Sequence, residues 1–506
     1  MSQLLALHVV GKIQKIYEQR NFATFSLCLH RGFTLLSTIV NDRLAANFEF
    51  RTANVINELK VINRCCLVTA LVTCFVVSQS ALAKNIAIAK GDYQQRLEGF
   101  WLGQSIANWT GLITEMDKIG TPETMPFYTD EDWGKPDLKA MWGEYVPHAS
   151  TINFFFEQQG TPWGADDDTD IEYMYLHLLH QHNTSKLTAA QIRHGWLKHI
   201  YSETDAPLYK KFPDSEASKE NFLWVANERA RILMEQGMLP PHTGTPENNP
   251  YYNMIDAQLT TEIFGLLAPT RPDIALDIAD LPISTTASHE AKSISQFYVV
   301  MHALASSVDS GQTLKQQSQW LADEARGYLP EDSFPAKMYD FIKSQYLQNP
   351  DSQQWEVLRD VVFLRYQQQG QDGYQYQQPY DAGINFAASL ISWFYGEGDI
   401  VRTIQIGSLV GWDSDNPTAT WGGLLGFMLG KEGVSKAFNQ PNLSDTYWIH
   451  RTRRNFPDYT PDLEGEDNLA KMAKRGLDVI DKVVVEQMQG QLSQSGQTWT
   501  IPAQAK

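Results

Sequence analysis

With 506 residues, 43% of them hydrophobic, the chain can fill a sizeable core and reads as globular, as one large domain or two to three ordinary ones. A formal net charge of −18 repels phosphate backbones and anionic membrane surfaces, which excludes nucleic-acid or lipid binding by bulk electrostatics. The four cysteines Cys28, Cys65, Cys66 and Cys74 all lie near the start, so a metal bound by the rest of the chain must sit on oxygen or imidazole.

Residues 64–83, RCCLVTALVTCFVVSQSALA, join a basic start to an apolar run over 65–77 and a small-x-small ending at Ala81-Leu82-Ala83. That is the pattern of an export signal, spanning about 61–83 and cleaved after Ala83. The run is short beside the roughly 20 apolar residues of a membrane span. Thr73 is large for the position before Cys74, which makes this a poor lipid-attachment site. A further stretch, 1–60, precedes the signal, and no methionine lies between Met1 and Met116. The expectation is that 1–60 is an upstream, non-native extension or disordered. The mature chain, 84–506, would then be periplasmic or secreted, with no stable membrane anchor.

From about residue 88 helical periodicity dominates, and the expected fold is all-α in a single domain over 84–506. Ile171, Met174, Tyr175, Leu178 and Leu179 fall at i, i+3, i+4, i+7 and i+8, one face of a helix. Thr169 and Glu172 have capping-box spacing and predict that this helix starts at Thr169. Further helices are expected at 188–201, 218–236, 290–307, 314–326, 383–396 and 467–490. QQQGQDGYQYQQ, 367–378, reads as a loop, TWTIPA near the end as a short strand, and no solenoid repeat is present.

Two acidic junctions carry the chemistry. In WGADDDTDIEYMYL, 163–176, Asp166, Asp167 and Asp168 stand just before the predicted helix. In GWDSDNPTATWGGLLGFMLG, 411–430, Asn416 is a natural N-cap and Pro417 a natural first residue, so Asp413 and Asp415 also precede a helix. Gly422, Gly426 and Gly430 recur every fourth residue, which allows another backbone to approach that helix closely. A helix terminus offers only about half a unit of positive charge, too little for three adjacent carboxylates. Two hard cations, Mg²⁺ or Mn²⁺, would neutralise carboxylates converging from both turns. The EF-hand pattern is excluded, because counting from Asp166 the sixth position is Ile171 and the twelfth His177, where Gly and Glu are required.

These residues resemble the ADP-ribosylglycohydrolases, a family with an early Gly-Asp-Ala-Leu-Gly-x-Pro-x-Glu element, a Thr/Ser-Asp-Asp-Thr element and a late Gly-Gly-Asp-x-Asp-Thr element. IANWTGLITE, 106–115, is similar to the first, ADDDTD, 165–170, to the second, and GWDSDNPTATWGGLLG, 411–426, to the third. The branch reading DDDT and GWDxD is the nearer match, and MIDAQLTTEIFGLLAP, 254–269, with Ser288-His289 resembles its central region. The resemblance implies a compact orthogonal all-α bundle with two Mg²⁺ or Mn²⁺ ions engaging the ribose of an ADP-ribosyl group. It places metal ligands at Asp166, Asp167, Asp168, Asp413, Asp415 and Asn416, and catalytic carboxylates at Glu115 and Asp168. Asn108, Trp109, Trp412 and His289 become candidates for contact with substrate. Four departures from the family pattern stand out: Asn108 replaces Asp, Ile113 replaces Pro, Asp166 replaces Thr/Ser and Asn416 replaces Thr.

The function implied is hydrolysis of an N- or O-glycosidic bond at ribose, in a small molecule or an ADP-ribosylated substrate. Such cleavage develops oxocarbenium character, so the site must hold water and stabilise charge on the leaving side. Two other readings stay open. One is a catalytically silent protein that keeps the metals and binds ADP-ribose or another nucleotide. The other is a helical glycosidase with paired carboxylates and no metal.

Overall fold

The computed structural model describes residues 85–143, 149–164, 167–200, 223–448 and 466–503, with the backbone alone for residues 167, 168 and 466. The expected signal at 61–83 and the extension 1–60 lie outside the described residues, which all belong to one compact unit, Ala83–Lys506. The fold is all-α. Strand β1 (Ile86–Ala89) leads into α1 (Lys90–Gly111), followed by α2 (Asp167–Gln181), α3 (Ala189–His199), α4 (Val225–Glu235), α5 (Ile263–Leu267), α6 (Pro272–Ile283) and α7 (His289–Leu304). The second half holds α8 (Leu314–Arg326), α9 (Phe334–Gln348), α10 (Trp355–Val362), α11 (Ala382–Gly396), α12 (Ile400–Leu409) and α13 (Asp415–Ala437). Strands β2 (Thr446–Trp448) and β3 (Glu466–Asn468), helix α14 (Leu469–Lys482), and strands β4 (Gln491–Leu492) and β5 (Thr498–Ile501) complete it. No described helix is long and apolar enough to cross a membrane.

Local chemistry explains where several helices start. Thr188 and Gln191 close a reciprocal capping box ahead of α3, with Gln191 Oε1 accepting from Thr188 N at 2.8 Å. Thr313 and Gln316 do the same at α8. Ser333 caps α9, whose first turn holds Pro335, a position where proline costs no hydrogen bond. The expected helix at 314–326 is observed at Leu314–Arg326, and the terminal strand read in TWTIPA pairs antiparallel with β1, Ile86 opposite Ile501.

Close packing of α1 against α13 forms the centre. A Cβ on Gly103 would lie 3.0 Å from Gly426 Cα and nearer still to the Gly422 carbonyl, so two backbones meet where side chains would normally separate them. The period of four at 422, 426 and 430 is met by Gly99 and Gly103 on the facing helix. Gly430 itself has φ +69° and kinks α13. Every residue of α11 is buried, as expected of a helix apolar on all faces. Trp393 of α11 and Trp421 of α13 pack at 4.4 Å between ring centroids. Truncating such a tryptophan to alanine costs about 3–5 kcal/mol.

Two helix starts differ from expectation. α2 begins at Asp167 instead of Thr169, so Asp167 and Asp168 fall in its first turn, where acidic residues face the positive end of the helix. α13 begins at Asp415 with Ser414 before it, instead of being capped by Asn416. Helices α1, α5, α6, α9, α10 and α12 have no counterpart among the expected helices.

Candidate active site

The last turn of α1 and the segment after it receive the late acidic element. Gly111 ends α1, and a Cβ there would stand 2.5 Å from Asp415 Cα, so glycine lets the two chains touch. Ser414 Oγ donates to the Gly111 carbonyl at 3.0 Å and lies 3.0 Å from Thr114 Oγ1. Asn108 Nδ2 donates to Asp415 Oδ2 at 3.4 Å. Just beyond Glu115, residues 116–118 pair with the 411–412 turn, Met116 N donating to Trp412 O at 2.9 Å and Trp412 N to Lys118 O at 2.8 Å. Gly411 and Trp412 both have positive φ, +102° and +62°. The left-handed region is unfavourable for tryptophan, and these two backbone bonds, with the buried ring, hold Trp412 there.

Glu115, Asp413 and Asp415 thereby converge, each offering one carboxylate oxygen, with all of these oxygens within 4.8 Å of one another. Asp413 and Asp415 are buried. At an effective dielectric of about 20, each charged pair at that separation repels by at least about 3 kcal/mol. Three such groups suit a hard divalent cation with oxygen ligands.

The chain just ahead of the early acidic element also reaches this helix end. Trp109 Nε1 donates to the Gly164 carbonyl, and its ring stacks on Phe155 at 5.4 Å. Phe155 N donates to Thr110 Oγ1 at 3.1 Å. Trp163 is buried, with Nε1 donating to Ser444 O at 3.0 Å. Neighbouring residues of α1 thus touch Asp415 of the late acidic element, through Asn108, and Gly164, just ahead of the early one, through Trp109. Asp166 lies outside the described residues, and Asp167 and Asp168 are placed by backbone alone.

The remaining candidates fall at unequal distances from this centre. Asn416 is buried, its carbonyl accepting from Thr420 Oγ1 at 3.1 Å. Trp412 is fully buried, its ring 5.0 Å from that of Phe127 and its Nε1 donating to Gln367 Oε1 at 2.8 Å, a position that holds the turn. His289 is exposed at the start of α7 with its ring edge on Tyr252, and the structure does not bring it into the acidic cluster.

Two residues matter more than the sequence suggested. Asn385 of α11 accepts from Asp413 N at 3.2 Å and donates to the Pro379 and Asp381 carbonyls at 2.8 and 2.9 Å. Its signal was a lone amide in an apolar run. Asp256 accepts from Asn227 N at 2.7 Å, and burial, joined by the charge of Asp413, pushes its carboxyl up to about 7.

No curated protein sequence matches the chain significantly. A solved structure titled "ADP-ribosylglycohydrolase-related protein complex" is similar at 14% identity and a TM-score of 0.42, covering 78% of this chain and 99% of that one, a likeness too loose to bear on the site. The profile of the ADP-ribosylglycohydrolase family matches residues 89–469, a span that contains all three motifs. The chain therefore belongs to the ADP-ribosylglycohydrolase family.

Proposed function

We propose that the protein is a metal-dependent hydrolase of an ADP-ribosyl or related ribosyl N- or O-glycosidic linkage. The observation that carries this reading is the convergence of Glu115, Asp413 and Asp415 at the end of α1. The donor set is all oxygen, as Mg²⁺ and Mn²⁺ prefer. Asp413 and Asp415 would hold a cation with Glu115 beside it, and Asp166, Asp167, Asp168 and Asn416 are the further ligands proposed for a pair of ions. Bound divalent ions would supply positive charge that fixes ribose hydroxyls and acidifies water. Glu115, the least buried of the three acids, takes or gives the proton at its carboxylate oxygen as the glycosidic bond breaks. Trp109, next in sequence to Asn108 and stacked on Phe155, is the aromatic face proposed for a base.

Asn108 favours a second reading, a silent nucleotide-binding protein, because its amide stands where the family motif has aspartate. The deciding experiment measures ADP-ribose release from ADP-ribosylated protein and small-molecule substrates with Mg²⁺, Mn²⁺ or excess chelator. Metal-dependent release is expected. Binding of ADP-ribose without release supports the silent reading, and release that survives chelation supports the metal-free glycosidase. Export through the 61–83 segment remains part of the proposal, and retention of 1–60 in mature protein, seen by N-terminal sequencing, would contradict it.

A further inference from the structure

The core also holds a second, wholly buried acid pair that the proposed chemistry does not use. Glu172 of α2 accepts from Gln104 Nε2 at 2.7 Å and from Ile263 N at 2.5 Å, so both of its oxygens face N–H donors. Glu262, just before α5, is fully buried, and neither of its oxygens meets a donor at normal distance among the described residues. His302 of α7 places Nε2 3.8 Å from Glu262 Oε2. A carbonyl oxygen can only accept, so the 2.8 Å contact of His302 Nδ1 with Tyr298 O puts the ring proton on Nδ1 and leaves Nε2 as a lone pair. Burial holds His302 down at about 4, so the ring is neutral.

Negative charge is therefore well supported on Glu172 and poorly supported on Glu262. Burial raises both, Glu172 to about 8 and Glu262 well beyond the carboxylate range, the second also because Glu172 is its neighbour. Thr420 lies close enough to temper the effect on Glu262. Among the described residues, the ionisable groups facing Glu262 are Glu172 from α2 and His302 and Tyr298 from α7.

The register of the helices ties this pair to the site. Residues four apart share a helix face about one turn, roughly 5.4 Å, apart. Gln104 stands four residues before Asn108 on α1, Glu172 four after Asp168 on α2, and Thr420 four after Asn416 on α13. Three helices that carry candidate site residues thus each place a polar group of the buried cluster one turn deeper.

We propose that Glu172 and Glu262 are positioning residues which fix the spacing of these three helices under the acidic cluster, and that Glu262 does so as a neutral carboxylic acid. Its link to metal binding rests on the metal reading above; its protonation does not. Supporting residues of this kind typically change metal affinity by about 10–100-fold when lost.

The test uses the full chain with Glu262→Gln, Glu262→Ala and Gln104→Ala, measuring Mn²⁺ affinity and the melting temperature of metal-free protein from about pH 4.5 to about pH 8. An acid with a raised folded pKa contributes stability that is present below its unfolded pKa and lost as pH rises, so the neutral glutamine should match wild type at about pH 4.5 and exceed it at about pH 8. Glu262→Gln should bind Mn²⁺ like wild type, while Glu262→Ala and, should that variant not fold, Gln104→Ala bind roughly tenfold more weakly. A glutamine variant that melts below wild type at the higher pH overturns the neutral acid. Unchanged Mn²⁺ affinity in the alanine variants overturns the positioning role. Wild-type protein that takes up no Mn²⁺ overturns the metal reading and the positioning role with it, while the pH series still decides the protonation.

Discussion

Asn108 marks the departure from the family pattern at the point of contact with the late acidic element, where its amide donates to Asp415. Aspartate there would add a carboxylate about 3.4 Å from Asp415, a repulsion of about 3–5 kcal/mol at an effective dielectric of about 20. Asn108→Asp should lower the melting temperature of metal-free protein, and Mn²⁺ should raise it by more than it raises wild type. Equal Mn²⁺-induced shifts would remove Asn108 from the neighbourhood of a cation. Glu115→Gln should reduce hydrolysis about 10²–10⁴-fold, the usual contribution of general acid–base catalysis, while Asp413 and Asp415 still bind metal; undiminished hydrolysis removes Glu115 from the mechanism. The paired aspartates were legible because crowded carboxylates before a helix demand an explanation. Asn385 was not, because its grip on Asp413 joins residues from two helical regions that no local pattern connects.

The packing of α1 on α13 sets the distance between these residues. In an ordinary helix interior, glycine to alanine gains roughly 0.5–1 kcal/mol. At Gly103 the added methyl would meet the backbone of Gly422 and Gly426, which cannot step aside as a flexible side chain could. Overpacking costs about 1–3 kcal/mol, so the sign reverses. Gly103→Ala is expected to lower the melting temperature and to weaken Mn²⁺ binding together, by parting Gly111 from Asp415. A stabilised variant would show that the two helices have room to spare. The period of four at Gly422, Gly426 and Gly430 announced half of this seam. Its partner was hidden, because 15 of the 22 residues of α1 are buried and a helix enclosed on most sides shows no amphipathic period.

Across the molecule, buried carboxyls govern the response to pH. Burial pushes Glu172 to about 8, Asp256 to about 7 and Asp381 to about 6. Each lies above the unfolded carboxyl value of about 4, so the stability these groups contribute is present below that pH and lost as pH climbs through their folded values. His302 acts oppositely, its stability present above about 6.5 and lost as pH falls. Between about pH 6.5 and about pH 8.5 only the carboxyl effect remains, and the melting temperature of metal-free protein should decline across that range; a flat profile in calorimetry would contradict the assigned shifts.

The all-α class was legible from periodicity and from three motifs in order. Residues 86–89 gave no sign of their strand, since they pair with β5 some 400 residues away, and so distant a partner leaves no local trace. The helix starts at Asp167 and Asp415 each moved by about two residues, a shift that aspartate's own preference for a first turn explains.

The central claim is that Asp413 and Asp415 meet a second acidic turn around bound dications. The most direct measurement is the divalent-metal content of the purified protein, by elemental analysis, before and after Asp413→Asn with Asp415→Asn. Loss of about two ions per chain, the number proposed for the pair of acidic turns, is the predicted result. Unchanged content in the double variant, or wild-type protein that takes up no divalent ion, would contradict it.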